Sequence, residues 1–214
     1  MIRMHNPEGI LSAMLERHPA LAPCEADILR GYDLLYAGFR RGGKLLLCGN
    51  GGSAADCGHI AGELMKGFVL KRPVPPGHKA RLRQASGGDY LPDRLQQGLP
   101  AIPLPGLCAF NTAVANDTAP DVVYAQAVYA LGNEGDLLWA LSTSGNAANV
   151  CHALATAQAL GLQTLGLTGQ AGGRMAALCD VCIRVPEIET YIIQEYHLPI
   201  YHALCAMLEA AFYG

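Results

Sequence analysis

Short apolar runs recur along this chain with helix-length stretches between them, and that alternation limits the fold more than any other feature of the sequence. The runs fall at 44–48 (Lys-Leu-Leu-Leu-Cys), 101–104, 136–141, 163–167 and 181–185. The first is a short continuous apolar run, as a strand covered on both faces requires. Between the runs, apolar spacing predicts helices over 53–66, near 109–115, over 120–131 and over 147–160. Strands alternating with helices of ten or more residues imply parallel βαβ units. The expected fold is therefore α/β: a doubly wound parallel sheet of about five strands flanked by helices. Two N-terminal helices precede the sheet, over 7–18 and 23–41, and Gly42-Gly43 stops the second. A long C-terminal helix over 189–212 closes the chain. With 214 residues, 51% of them hydrophobic, the chain suits one domain, 1–214, around a single core. The stretch 69–100 changes character. It carries Pro73, Pro75, Pro76, Gly87, Gly88 and Pro92 among Lys71, Arg72, His78, Lys79, Arg81, Arg83 and Arg94, and reads as a long polar loop.

A formal net charge of −3 gives no electrostatic footprint for nucleic acid or an anionic membrane. No apolar run reaches the roughly 18–20 residues of a membrane span. The first eight residues lack the charged-then-apolar layout of a secretory signal, so the expected location is the cytoplasm. Eight cysteines then read as free thiols, most of them in apolar or helical runs such as Cys48, Cys151 and Cys205. Cys179 and Cys182 form a CxxC. In a strand over 180–185 that spacing sends the two side chains to opposite faces, and no second CxxC or nearby His completes a zinc set.

In open α/β sheets, ligands sit where the carboxyl ends of the strands pass into loops. That rule selects three turns: 49–53, 142–146 and 168–173. The first reads Gly49-Asn-Gly-Gly-Ser53. Its glycines permit close backbone approach, and Ser53 opens a helix whose free N–H groups favour an anion. The second, Ser142-Thr143-Ser144-Gly145-Asn146, repeats the design with three hydroxyls. Either alone is also what ordinary Ser/Thr helix capping looks like. Together at one sheet edge they suit a phosphate held by neutral donors. Gly49-x-Gly51-x-x-Ala54 also fits a dinucleotide fingerprint. That pattern needs an acidic residue ending the next strand, and here the basic, Pro-rich stretch after Phe68 stands instead. No nucleotide cofactor is expected.

His59 and Glu63 lie four apart on the helix after the first turn and share a face. In the last helix Gln194, His197 and His202 interrupt an apolar run. Gln194 and His202 are about 12 Å apart along the axis and roughly 80° around it, so both can lean toward one site. His197 and His202 point about 140° apart, so at most one of them faces it. Each of these histidines also reads as a satisfied core or interface residue.

At these residues the chain resembles the SIS (sugar isomerase) family over nearly its whole length. The motifs are CGNGGSAAD…HIAGEL, GDLLWALSTSGNAANV, LGLTGQAGGRMAALCDVCIRVP and IQEYHLPIYHALCAMLE. Within that family it resembles the sedoheptulose 7-phosphate (phosphoheptose) isomerases. The resemblance implies an intramolecular oxidoreductase that interconverts sedoheptulose 7-phosphate and D-glycero-D-manno-heptose 7-phosphate, moving a proton between C1 and C2. It implies a phosphate held by Ser53, Ser142, Thr143 and Ser144. Glu63 would be general base and His202 its acid/base partner. Substrate contacts would come from Asn50, Gly51, Gly52, Asn116, Asp117, Asn146 and Gln194. His59, Glu63, Gln194 and His202 match a set that holds one zinc ion in some members. A homotetramer with active sites completed at subunit interfaces is implied as well. The residue types suit this chemistry, since aldose–ketose transfer needs one base and a donor for two oxygens. The turn often ends in Ser in this family, where this chain has Ala147, and 69–100 is longer than a compact heptose isomerase needs. Two other readings follow from the same fold: a non-catalytic tetrameric scaffold that binds a protein partner, as in replication-initiation factors sharing it, and a phosphosugar-binding regulator. The presence of Ser144, Gln194 and His202 favours the enzyme.

Overall fold

A computed structural model describes residues 6–214, so the first five residues of the expected domain lie outside the description. Among the described residues the elements run α1 (Pro7–Arg17), α2 (Glu25–Arg40), β1 (Leu45–Cys48), α3 (Gly52–Met65), α4 (Pro76–Ser86), α5 (Tyr90–Arg94) and β2 (Ala101–Pro103). They continue with α6 (Cys108–Asp117), α7 (Val123–Leu131), β3 (Leu137–Leu141), α8 (Ala148–Ala159), β4 (Gln163–Thr168), β5 (Val181–Arg184) and α9 (Thr190–Tyr213). All pairings within the five-stranded sheet are parallel, in the order β2-β1-β3-β4-β5. The strand order reverses beside β1 and β3, which puts the switch point of the doubly wound sheet between the first two hydroxyl-bearing turns.

Side-chain alternation splits the core into two layers. Leu45, Leu47, Leu137, Trp139, Leu141 and Leu165 face the layer that holds α1, α2, α3 and α9. Leu46, Cys48, Leu138 and Ala140 face α7 and α8. All five residues of β3 are buried, as a central parallel strand demands. Burial of each such leucine contributes about 2 kcal/mol. No helix among the described residues is long and apolar enough to cross a membrane.

Two expectations need correction. The 69–100 stretch is not a structureless loop. It contains α4 and α5, and an antiparallel bridge pairs Pro73 with Gln96. Pro76 begins α4 and Gly87, at φ 70°, ends it, yet no residue of α4 is buried. A helix with no core face has no apolar period to read. Its ties are polar: Lys79 pairs with Asp93 at 3.2 Å, and Arg83 with Asp89. The second correction concerns Cys179 and Cys182. β5 begins only at Val181, so strand alternation does not govern Cys179. A Cβ built on Gly166 would fall 2.8 Å from one sulfur and 3.1 Å from the other, so both thiols crowd the same spot. They hydrogen-bond each other, and this pushes Cys179 up and Cys182 down in pKa. All eight cysteines are free thiols.

Candidate active site

Two turns at the carboxyl edge of the sheet meet to form a hydroxyl-lined cradle. β1 passes into α3 through Gly51, whose φ of 55° suits glycine. Gly49 must also lack a side chain. A Cβ there would lie 2.9 Å from the Ser53 Cβ and 3.0 Å from the Leu141 carbonyl oxygen. The Tyr124 hydroxyl donates to the Gly49 carbonyl at 2.7 Å from the opposite layer and fixes the turn. β3 delivers the second turn, in which the Gly145 N–H donates to the Ser142 carbonyl at 3.1 Å. The resulting cavity, about 290 Å³, is lined by Asn50, Gly51, Gly52, Ser53, Ser142, Thr143, Ser144, Ala147, Thr190 and Gln194. Ser53 and Ser142 are buried in its floor. α3 starts at the cavity, so its N-terminal N–H groups and dipole favour an anion there. Ala147 contributes a methyl to the wall.

Other expected residues sit elsewhere within this chain. Asn146 donates to the Ser144 carbonyl at 3.0 Å and accepts from the Arg174 N–H at 3.0 Å, so it ties the second turn to the third. The third turn backs the cradle: the Gly169 N–H donates to the Thr143 carbonyl at 3.0 Å. Asn116 and Asp117 end α6, bonded to each other at 2.8 Å and exposed. They do not line the cavity. Asn50 exchanges amide hydrogen bonds of 2.9 and 3.0 Å with Asn149, a partner that the sequence pattern did not single out.

A second cluster forms where α3 packs on α9. His59 Nε2 lies 3.3 Å from His202 Nε2 and 3.3 Å from Glu63 Oε1. Lys66 Nζ reaches the other Glu63 oxygen at 3.3 Å. Behind them, the buried Tyr201 donates its hydroxyl to Asp56 at 3.1 Å, and its oxygen stands 3.1 Å from His59 Nδ1. Since the tyrosine proton is committed to Asp56, His59 Nδ1 is the donor. When the ring is neutral, its Nε2 carries the lone pair that faces Glu63 and His202. Burial and the neighbouring Asp56 raise Tyr201, which keeps the proton on the phenol, and burial raises Asp56 as well. Tyr201 and Asp56 were missed in the sequence, although Asp56 stands one helical turn before His59. Burial and the neighbouring His59 lower His202 against the pull of Glu63, so its imidazole is neutral at pH 7. His197 is wholly buried, and burial drives its pKa down to about 4. It belongs to the core rather than the cluster.

The cradle and the cluster are distinct within one chain. Ten residues of α3 separate Ser53 from Glu63, about 15 Å along the axis. Gln194 stands with the cradle: a Cβ on Gly52 would come 2.6 Å from its Nε2. It is therefore placed apart from His59, Glu63 and His202, with which it was expected to share a metal.

These arrangements can be set beside known proteins. A family model described as SIS domain matches residues 97–169. The phosphoheptose isomerase of Rhodospirillum rubrum is 40% identical over 191 residues, 89% of each chain. This chain belongs to the phosphoheptose isomerase family of SIS-domain proteins. A second member of the family, from Thiobacillus denitrificans, is 41% identical over 203 residues, 94% of this chain and 89% of its own. Among solved structures, the phosphoheptose isomerase of Neisseria gonorrhoeae superposes with a TM-score of 0.71 at 31% identity, covering 94% of this chain and 97% of its own. That of Francisella tularensis gives 0.70 at 31% identity over 94% and 93%. Members of this family are aldose–ketose isomerases, and this chain is an enzyme of that class.

Proposed function

We infer that this isomerase acts on sedoheptulose 7-phosphate, converting it to D-glycero-D-manno-heptose 7-phosphate by moving a proton between C1 and C2. The observation that carries the reading is the pairing of a hydroxyl-lined anion cradle with a Glu/His cluster on two packed helices. The cradle binds the phosphate through Ser53, Ser142, Thr143 and Ser144. Asn50, Gly51, Gly52 and Gln194 supply polar backbone and side-chain contacts next to it, and Asn146 acts by bracing the turn. The Glu63 carboxylate removes a proton from C1 of the open-chain ketose and leaves a cis-enediol. The neutral His202 gives a proton to O2 and takes one from O1, and Glu63 returns its proton to C2. The test is conversion of sedoheptulose 7-phosphate by the purified protein. Formation of an aldoheptose 7-phosphate is expected. Inertness toward that sugar and other phosphosugars would favour a non-catalytic binding protein.

The cluster also fits a zinc ion. Three acceptor atoms approach one another, and the Asp56–Tyr201–His59 chain aims a lone pair rather than a proton into their midst. Two nitrogens bound about 2.05 Å from a tetrahedral zinc are roughly 3.3 Å apart, which matches the separation of His59 and His202. No ready-made cage of three or more His, Cys, Asp or Glu exists among the described residues, so the ion would complete the arrangement. His59, Glu63 and His202 would hold it, and bound there it would polarise the sugar carbonyl.

The distance between cradle and cluster supports a homotetramer whose sites draw on neighbouring subunits. An apolar groove of about 420 Å³ runs beside His202, lined by Met14, Phe68, Val69 and Leu198, of which Val69 and Leu198 are exposed in the single chain. Asn116 and Asp117, which do not line the cavity of their own chain, would then contact substrate in the next. Mixed oligomers provide the check: subunits carrying Ser144→Ala and subunits carrying Glu63→Gln, each inactive alone, regain activity on co-assembly if cradle and base come from different chains. Failure of co-assembled subunits to recover any turnover would assign each site to one chain. Such an enzyme would work in the cytoplasm, where its sugar phosphates and reduced thiols belong.

A further inference from the structure

Arg72, which falls in the polar stretch after α3, is wholly buried, and so is its partner Glu209 on α9. Their contacts are unusually complete. Arg72 Nε donates to Glu209 Oε1 at 2.7 Å, Nη1 to the Leu64 carbonyl at 2.6 Å and Nη2 to the Glu63 carbonyl at 3.0 Å. Its guanidinium also lies over the Tyr213 ring, 4.7 Å from the centroid. Glu209 in turn accepts the backbone N–H groups of Phe68, Val69 and Leu70 at 2.8, 2.7 and 2.9 Å. Burial works against the Glu209 charge, but these donors and Arg72 outweigh it and hold the carboxyl below its ordinary range.

The carbonyls of Glu63 and Leu64 lie in the last turn of α3, where the helix offers them no partner. Arg72 takes the place of the missing turn. Glu209 follows His202 by seven residues, two turns and about 20° around the axis of α9, so it shares the face that carries that imidazole. The pair therefore grips α3 at the backbone of Glu63 and α9 two turns beyond His202. A buried ion pair is a poor device for stability alone, because apolar residues of similar volume usually serve as well or better. Its planar fork, with each of the three nitrogens donating, is a good device for holding two helices in one register.

We propose that Arg72 and Glu209 are positioning residues for the isomerase: they set the Glu63 carboxylate against the His202 imidazole by joining the end of α3 to α9. The proposal rests on the reading of Glu63 and His202 as the acid–base pair. Displacing reacting groups by about 1 Å costs on the order of 10²-fold in rate, while the phosphate cradle lies at the other end of α3 and should not feel the change.

The test uses one conservative variant from each side, Arg72→Lys and Glu209→Asp, each assayed well below its own melting midpoint beside the parent and Glu63→Gln. Lysine keeps the charge opposite Glu209 but cannot reach both carbonyls, and aspartate keeps the charge but pulls α9 by one methylene. The expected result for the folded variants is a kcat lowered by about 10- to 10²-fold with KM for the sugar phosphate within about 2-fold of the parent. Parental kcat in either folded variant overturns the proposal, as does a loss confined to KM. If Glu63→Gln itself retains parental turnover, the acid–base reading has failed and the positioning role goes with it. A dead Glu63→Gln beside an active Arg72→Lys rejects the positioning role alone.

Discussion

Glu63→Gln is expected to lower kcat by at least about 10²-fold while leaving the fold and the KM for sugar phosphate close to those of the parent. The amide has the size of the carboxylate and can keep a contact with Lys66, now 3.3 Å away, but it cannot accept a proton from carbon. The backbone at position 63 is held by Arg72 through its carbonyl, so the change should not travel along α3. KM is expected to hold because Ser53 of the phosphate cradle sits about 15 Å back along the same helix, and Ser142, Thr143 and Ser144 lie in the turn after β3. Steady-state rates with circular dichroism and a melting curve on the same sample provide the check. Turnover within a few-fold of the parent would remove Glu63 from the chemistry and leave it as an ordinary polar contact of His59.

Gly145→Ala is expected to be the most damaging single change in the cradle, through the fold rather than through chemistry. Gly145 has φ 64°, and a Cβ on it would stand 2.0 Å from the Gly172 carbonyl oxygen. That contact is backbone, so no side chain can swing aside to admit the methyl. The adjacent Gly173 is equally tight: a Cβ there would lie 2.5 Å from the Ser144 carbonyl. The turn after β3 must therefore separate from the turn after β4, and the Met175 N–H that donates to the Gly145 carbonyl at 3.0 Å goes with it. Left-handed strain of 1–3 kcal/mol plus the clash puts the loss at about 3 kcal/mol or more. In a chain of this size that lowers the melting midpoint by about 6–12 °C. Whatever folds should bind phosphate poorly, since Ser142, Thr143 and Ser144 belong to the displaced turn. An unchanged melting midpoint would show that the two turns are looser than their packing indicates.

Much of this architecture is legible in the sequence because it rests on local rules. Apolar runs placed all five strands within one or two residues, most plainly β1 and β3, where a strand buried on both faces has no polar positions to confuse the reading. The glycine and hydroxyl turns pointed to one cavity because strand order brings the ends of β1 and β3 side by side. What stayed hidden depends on distant partners. Nothing near Arg72 reveals that it is buried, because its carboxylate lies 137 residues away. α4 has no apolar face, so only its proline start and glycine stop mark it. Tyr201 looks like one more apolar residue of α9 until Asp56 and His59 are seen on its hydroxyl. The separation of Gln194 from His202 was also illegible. Spacing around a helix gives direction, and the crowding of Gln194 against Gly52 shows which way the side chain went.

The central claim is that Glu63 and His202 carry a proton between two carbons of a phosphorylated ketose. The most direct measurement is to incubate sedoheptulose 7-phosphate with the purified protein in D2O and follow the sugar by NMR, with total zinc determined on the same sample. An aldoheptose 7-phosphate should appear carrying deuterium at C2, and the remaining ketose should gain deuterium at C1 through the reverse reaction, because a proton held by a carboxylate exchanges with solvent. Glu63→Gln should abolish both signals. No conversion and no deuterium, for this sugar and for a panel of other ketose and aldose phosphates, would contradict the account.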